Sequence, residues 1–552
     1  MNAFAILQRG DGRSRALRAA LALCATAALF ASHARAQTVS RTTPSHGAVH
    51  AKARSDVTRF RARAEALLAQ SNAERLDWGV VVADRQTGEM FYELNADHFF
   101  TPASNAKIVT TALALGSLGG DYRFRTTLES KASLGNDGRL AGDLILVGRG
   151  DPDLSNRRFP YVGKGERMGT TERVLAEMAD EAVAKGLREV DGDIIADDSY
   201  YPYDPYPAGW SNGDLFFQFG APVSAIAFSD NTVSVLIEPG GRVGDPATIR
   251  TEPAAALVTF TQEITTGPPS VKSDFAVVRQ PGVNFILLRG TIALGHESTR
   301  LDIAMTAPAE TAALALKQLL EARGVRVSGT ARAQHAPPPY SNVAGEPIVP
   351  APSAVSPEPN AATFAEHVSL PLLETIRLTN KLSHNLHAEL LLRAVGREKL
   401  GVGSTAAGLK VEREFLRSAG VADGDILLSD GSGLARDDLV TPRAIVTLLR
   451  YVSRQPWGGD FLSTLPVAGV DGTLEGRMTG SAASGMIEAK TGEIEHVRAL
   501  SGYATTLRGE SLVFSIFYNN DPQHGAGTAA PVDAIATAMV ETLGAPPRAR
   551  KK

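Results

Sequence analysis

The sequence predicts an α/β chain of the α+β kind, in which a β-rich middle interrupts a domain assembled from both ends. Three observations carry this. Strand and helix patterns occur near both ends. The stretch 121–335 has another texture, with short apolar runs broken by Gly, Pro and Asp turns. The chain has 552 residues, enough for about three domains at ~100–200 residues each. A content of 43% hydrophobic and 21% charged residues excludes a fibrous or mostly disordered chain. A net charge of −4 argues against a nucleic-acid partner held by bulk positive charge. A single cysteine excludes an intrachain disulfide, a Cys-rich zinc module and an iron–sulfur cluster.

In chain order, residues 1–36 read as a secretory signal peptide. Arg9, Arg13, Arg15 and Arg18 precede an apolar run at 19–31, and Ala34-Arg35-Ala36 forms a small-x-small cleavage site. The run is shorter than the ~20 residues a membrane-spanning helix needs. Cleavage would leave a mature chain with a net charge of −8 and no cysteine, placed in the periplasm or cell envelope. Residues 37–75 then form a polar linker and a helix at 54–73. Residues 79–83 and 90–94 pair as a hairpin around Arg85-Gln86-Thr87-Gly88. Thr101-Pro102-Ala103-Ser104 opens a helix that runs to Gly116, and Gly119-Gly120 stops it.

Strands at 144–147, 233–237 and 285–288 and a helix at about 309–323 mark the inserted 121–335 segment. Eight prolines make 336–360 an extended linker. Helices follow at 371–382, 386–395 and 404–419, then strands at 497–505 and 511–518 and a helix at 531–543. One domain is thus expected from 76–120 together with 361–546. The basic tail 547–552 suits a solvated terminus or a loose contact with anionic lipid.

Three short motifs carry chemistry. Ser104-Asn105-Ala106-Lys107 places a hydroxyl and an amine one helical turn apart, at i and i+3. A lysine activates a serine only as the neutral amine, which demands burial or a neighbouring cation. Ser383-His384-Asn385 falls between two predicted helices, where a hydroxyl can relay a proton and an amide can bind a peptide. Ser229-Asp230-Asn231 has the same pattern but runs straight into a strand and reads as a turn. Lys490-Thr491-Gly492, just before the 497–505 strand, offers a cation and a hydroxyl to a carboxylate, and Lys490 beside Lys107 would lower the amine's pKa.

In this order the motifs resemble the S-x-x-K, S-x-N, K-T-G set of penicillin-recognising serine enzymes. Thr101–Lys107, Gly148-Arg149-Gly150-Asp151-Pro152 and Asp430-Gly431-Ser432-Gly433-Leu434-Ala435-Arg436 narrow the resemblance. They look like signatures of the D-alanyl-D-alanine carboxypeptidase/endopeptidase family, the low-molecular-mass class C penicillin-binding proteins or S13 peptidases. The 279 positions separating Ser104 from Ser383 are similar to that branch. The resemblance spans roughly 76–545 and implies a penicillin-binding-protein/beta-lactamase-like serine transpeptidase fold with inserted β-rich domains. It implies that Ser104 is acylated, Lys107 is its base and Ser383 passes a proton to the departing D-alanine. Asn385 would hold the substrate backbone, and Lys490 with Thr491 and Gly492 the terminal carboxylate. The N–H groups of Ser104 and Glu493 would bind the oxyanion, and Arg436 an acidic side chain of the peptide. Peptidoglycan stem peptides are the implied substrate and beta-lactams the implied inhibitors, with water as the only co-reactant and no metal or organic cofactor.

One position departs from the family pattern. Glu493 follows the K-T-G motif where Thr or Ser is usual, and its carboxylate would repel a substrate carboxylate unless paired with His496 or Arg498. A beta-lactamase and a catalytically weak wall-binding scaffold of the same fold stay open as alternatives, as does self-association. His384 and His387 are spaced as a metal pair, but the sequence shows no third ligand nearby and no H-E-x-x-H. Asp430 and Arg436 could also form a simple ion pair that caps a turn.

Overall fold

Alternation at the two ends of the chain closes one sheet. In the computed structural model the described residues are 54–70, 76–161, 167, 169–279, 284–338, 340–341, 347–348, 361–522 and 529–544. The expected signal peptide, the 37–53 linker, most of the Pro-rich segment and the basic tail lie outside them. Five strands pair in the order Met90–Leu94, Asp77–Asp84, Ser511–Asn519, Val497–Thr505, Ile487–Ile494, each antiparallel to its neighbours.

The period of two sorts their side chains. Val80, Val82, Leu512, Phe514 and Ile516 face one way. They meet Phe60 and Ala64 of the Ser55–Gln70 helix and Val532, Ile535 and Met539 of the Ala530–Thr542 helix. Val81, Ala83, Val513 and Phe517 face the other way, onto Ile108, Ala112 and Leu115 of the Ala106–Leu118 helix and Ile445 and Leu448 of the Pro442–Val452 helix. Each fully buried Val, Ile, Leu or Phe contributes about 1.5–3 kcal/mol before conformational entropy is counted. The sheet is therefore held from both faces.

The middle of the chain forms a second five-stranded sheet, in the order Ala331–Ala336, Ile194–Pro202, Leu144–Val147, Arg125–Ser130, Ala362–Val368. The Arg173–Ala184 and Pro308–Glu321 helices share its core through Leu175, Met178, Leu316 and Leu320. Two three-stranded sheets, built around Thr232–Glu238 and Phe285–Ala293, add Val233, Ile237, Ile286 and Leu288 to that core.

One boundary needs correction, and two elements are additional to those expected. Ala362–Val368 pairs antiparallel with Arg125–Ser130, so the inserted sheet takes its last strand from beyond the boundary placed at 361. The Lys490-Thr491-Gly492 motif precedes the Val497–Thr505 strand as expected, but it lies inside a further, unforeseen edge strand, Ile487–Ile494. Its Lys, Gly and Glu are weak β formers, which hid it. The Pro442–Val452 helix was also unforeseen, although Thr441 caps it by accepting from the Ala444 N–H at 3.2 Å and Pro442 occupies its first position.

Candidate active site

Ser104 does not sit on the first turn of the α-helix itself. It lies in a 3-10 turn, Ala103–Asn105, that feeds the Ala106–Leu118 helix. Ala103 has φ of 47°, a left-handed conformation a non-glycine residue rarely adopts. Asn105 locks the turn to the edge strand, its Nδ2 donating to the Lys490 carbonyl at 2.9 Å. Gly492 allows this approach. A Cβ there would stand 2.5 Å from the Pro102 carbonyl oxygen and 3.2 Å from the Asn105 nitrogen. Gly433, at φ of 78°, backs the same turn, where a Cβ would meet the Ala103 carbonyl.

Lys107 is fully buried and three groups accept from its Nζ: Ser104 Oγ at 2.8 Å, Asn385 Oδ1 at 2.7 Å and the Ser432 carbonyl at 2.6 Å. Burial pushes its pKa down to about 8, against the pull of the Asp430, Glu389 and Asp438 carboxyls. Lys490 is also fully buried and donates to Ser383 Oγ at 2.9 Å and to the Thr491 carbonyl at 3.0 Å. Burial, and secondarily the Lys107 cation, hold its pKa well below the ordinary lysine value.

Ser383 ends the Leu372–Leu382 helix in a left-handed conformation, φ 58°, and His384 caps the Asn385–Leu400 helix. That junction aims Ser383 at Lys490 and Asn385 at Lys107. Asn385 Nδ2 donates to the Phe219 carbonyl at 2.8 Å, so the inserted segment fixes its orientation. Ser104, Ser383, Asn385, Thr491, Glu493 and Arg436 all line one cleft of about 1080 Å³. The structure thus brings together all the residues singled out from the three motifs.

The surrounding charges were less legible. Glu493 pairs with Arg498, Oε1 to Nη2 at 3.3 Å, whereas His496 Nδ1 donates to the Asp521 carbonyl at 2.6 Å. Asp430 does not pair with Arg436. It accepts from the N–H groups of Ser432, Gly433, Leu434 and Ala435 and from Trp210 Nε1, while Arg436 lies 3.7 Å from Asp214. A third potential ligand does lie beside His384 and His387, correcting the sequence reading. It is Asp230, from the S-x-N look-alike in the inserted segment, and the three sets of ligand atoms fall within 4.8 Å. Arg157 and Arg167 already bind Asp230, at 2.5 and 2.8 Å, so its carboxylate is committed to two guanidiniums and the cluster is an anchor rather than a cation cage.

A serine held against a buried, low-pKa amine, with a second amine and a hydroxyl across the cleft, is the equipment of an acyl-transfer enzyme. The D-Ala-D-Ala carboxypeptidase 3 (S13) family model matches residues 60–539. The chain belongs to the S13 family. It is 33% identical over 88% of its length to a D-alanyl-D-alanine carboxypeptidase of Actinomadura sp. (strain R39), covering 86% of that protein. It is 26% identical to the D-alanyl-D-alanine carboxypeptidase DacB of Haemophilus influenzae, over 82% of this chain and 87% of the relative. The crystal structure of penicillin binding protein 4 (dacB) from Haemophilus influenzae superposes with a TM-score of 0.70 at 24% identity, covering 86% of this chain and 98% of that one. This S13 member therefore has the penicillin-binding-protein fold expected from its motifs. Among its described residues, no helix is long and apolar enough to cross a membrane.

Proposed function

We propose that this S13 serine carboxypeptidase trims or opens peptidoglycan stem peptides through an acyl-enzyme on Ser104. The observation that carries the reading is the 2.8 Å contact between Ser104 Oγ and a fully buried Lys107 whose pKa is pushed down to about 8. In the neutral amine the contact reverses. The Ser104 hydroxyl donates to Nζ, and its oxygen attacks the carbonyl of the penultimate D-alanine as the proton moves to Lys107. The oxyanion is received by the N–H groups of Ser104 and Glu493. As the C–N bond breaks, Ser383, held by Lys490, delivers a proton to the departing D-alanine amine. Water then hydrolyses the ester.

Asn385 holds the substrate amide, and Lys490, Thr491 and Gly492 flank its terminal carboxylate. Arg436, 3.7 Å from Asp214 on the cleft wall, would bind an acidic side chain of the stem peptide. Beta-lactams enter the same cleft as inhibitors, and the DacB relative of known structure has also been crystallised with one. The 1–36 segment would export the protein to the periplasm or cell envelope, and the basic tail would touch anionic lipid loosely. Self-association would leave the cleft chemistry unchanged.

The test is labelling with a fluorescent penicillin together with mass analysis of products from intact sacculi. Wild-type protein is expected to take one label and release D-alanine or open crosslinks, and Ser104→Ala to do neither. Equal labelling of the two proteins would remove Ser104 as the nucleophile. Rapid turnover of a chromogenic cephalosporin would favour a beta-lactamase, and tight muropeptide binding without cleavage a scaffold.

A further inference from the structure

Away from the cleft, two carboxyls and an imidazole meet where the inserted segment returns the chain to the catalytic domain. Asp151 and Asp153 follow the Leu144–Val147 strand, and His367 lies on the Ala362–Val368 strand, whose register pairs it with Thr126. One ligand atom from each of the three falls within 4.8 Å of the others. Asp151 is fully buried and Asp153 nearly so. Local hydrogen bonds use only part of their capacity. Asp151 Oδ1 accepts from the Asp153 N–H at 2.9 Å, and Asp153 Oδ2 from the Leu370 N–H at 2.5 Å. Asp151 Oδ2 is left with the Thr126 hydroxyl at a long 3.4 Å. His367 Nε2 is buried without a hydrogen-bond partner, 3.6 Å from Asp151 Oδ2.

Two carboxyls side by side in the interior need a counter-charge. Among the described residues no lysine or arginine pairs with either one. Arg123 and Arg157 are spent elsewhere, on the Ser369 carbonyl at 2.7 Å and on Asp230 at 2.5 Å. Burial, and for Asp151 the charge of Asp153, push both carboxyls above their ordinary range. This is the reverse of Asp230, whose carboxylate two guanidiniums already hold. With the proton on Nδ1, His367 also turns a lone pair toward Asp151 through Nε2. All three groups then offer electron pairs, and no positive charge answers them. Asp153 and His367 also line a cavity of about 450 Å³, which gives an ion a way in.

We propose that Asp151, Asp153 and His367 form a structural site for one divalent cation that takes mixed oxygen and nitrogen ligands, zinc being the best match. Zinc bonds of about 2.0–2.2 Å space neighbouring ligand atoms by about 3.4 Å in a tetrahedron, close to the observed 3.6 Å between Asp151 Oδ2 and His367 Nε2. Two carboxylates and one imidazole leave a fourth position for water from the cavity. The ligands bind deprotonated, so protons held by the carboxyl pair are released as the ion enters. The ion would clip the Asp151–Asp153 loop to the returning strand. Just beyond, Leu370 leads into the Leu372–Leu382 helix that ends at Ser383. A chain with one cysteine has no intrachain disulfide to make such a clip. The site takes no part in the acyl transfer and stands independently of that reading.

The experiment titrates zinc chloride alone into chelator-treated, dialysed protein by calorimetry, and follows thermal unfolding with and without the ion. Wild type, His367→Gln and Asp153→Asn are compared. Wild type is expected to bind one equivalent, to release protons in doing so, and to unfold at a higher temperature in zinc. Each variant should bind at least about tenfold more weakly, and its unfolding should not respond to the same zinc concentration. Asp153→Asn keeps an acceptor for the Leu370 N–H and removes one buried charge. Without zinc near neutral pH it should therefore be at least as stable as wild type, which separates a lost ligand from a damaged fold. A wild type that binds no zinc would mean that the two carboxyls share a proton instead, and overturns the proposal. Equal binding by wild type and His367→Gln would place the ion elsewhere and overturns it as well.

Discussion

At the residue scale, the pH at which this cleft works follows from one amine. Burial lowers Lys107 from the ordinary lysine range to about 8. A base must be neutral, so the reactive fraction is small below that value and grows as pH rises through it. The acylation rate by penicillin should therefore climb through a midpoint near 8, the pKa of Lys107. Lys107→Arg, which stays charged, should lose roughly 10²–10⁴-fold in rate and flatten that profile, as read by stopped-flow labelling across pH. Much of this residue chemistry was legible in sequence. Ser104 and Lys107 meet because i and i+3 share a helical face, a relation the intervening 3-10 turn preserves. The Glu493–Arg498 contact was legible only as a guess. The two residues face each other across a hairpin register, and one of its strands was not recognised.

At the element scale, the motifs work because two junctions are held rigidly, and each junction has its own support. Gly492 is what lets the edge strand lie close against the Ser104 turn. Gly492→Ala should push the strand away from Pro102 and Asn105 and slow penicillin acylation by more than about tenfold, while most of the core packing survives. On the opposite wall, the Gly431 N–H donates to both carboxyl oxygens of Glu389, at 3.0 and 3.1 Å, which ties the Asn385–Leu400 helix to the Asp430–Gly433 turn under Lys107. Burial, with Asp430 close by, raises the Glu389 pKa to about 8.

The sign of that shift matters. A raised carboxyl favours the fold while protonated, and this contribution is full below the unfolded value of 4.5 and lost as pH rises through about 8. Glu389→Gln copies the neutral acid and should leave penicillin labelling nearly intact with a flatter stability–pH curve, whereas Glu389→Ala strands the Gly431 N–H and should cost about 1–3 kcal/mol, both measured by denaturant unfolding across pH. Neither support could be read beforehand. A glycine's missing Cβ and a glutamate on a helix carry no periodic signal, and their meaning lies in what packs against them.

For the whole molecule, the question is why a catalytic chain tolerates an insertion of this size between its serine and its S-x-N loop. The insertion's existence was legible in the change of texture after residue 120, but its contact with the site was not. The contact depends on Asp230, which the sequence offered only as a decoy turn. Folded, Asp230 is buried and binds Arg157 and Arg167 from its own segment, and the imidazole of His387, at 3.2 Å, from the helix that begins at Asn385. His384 lies 3.6 Å away and sits between Ser383 and Asn385 in the chain. The positive groups hold the Asp230 carboxyl well below its usual range in spite of its burial.

The inserted segment therefore grips the loop that presents Ser383 and Asn385, and also supplies the Phe219 carbonyl that orients Asn385. Asp230→Ala would leave two partly buried guanidiniums facing each other without their counter-charge. Removing one partner of a buried ion pair typically destabilises by about 3–5 kcal/mol, so a comparable loss is expected in denaturant unfolding. Labelling by fluorescent penicillin should fall in the same variant under conditions where it remains folded, because the Ser383–Asn385 junction loses its backing. Glu263→Ala, which removes an exposed pair with Arg289 within the insertion, should change stability by less than about 1 kcal/mol and leave labelling unchanged. Normal labelling by folded Asp230→Ala would mean that the insertion stabilises the chain without positioning its chemistry.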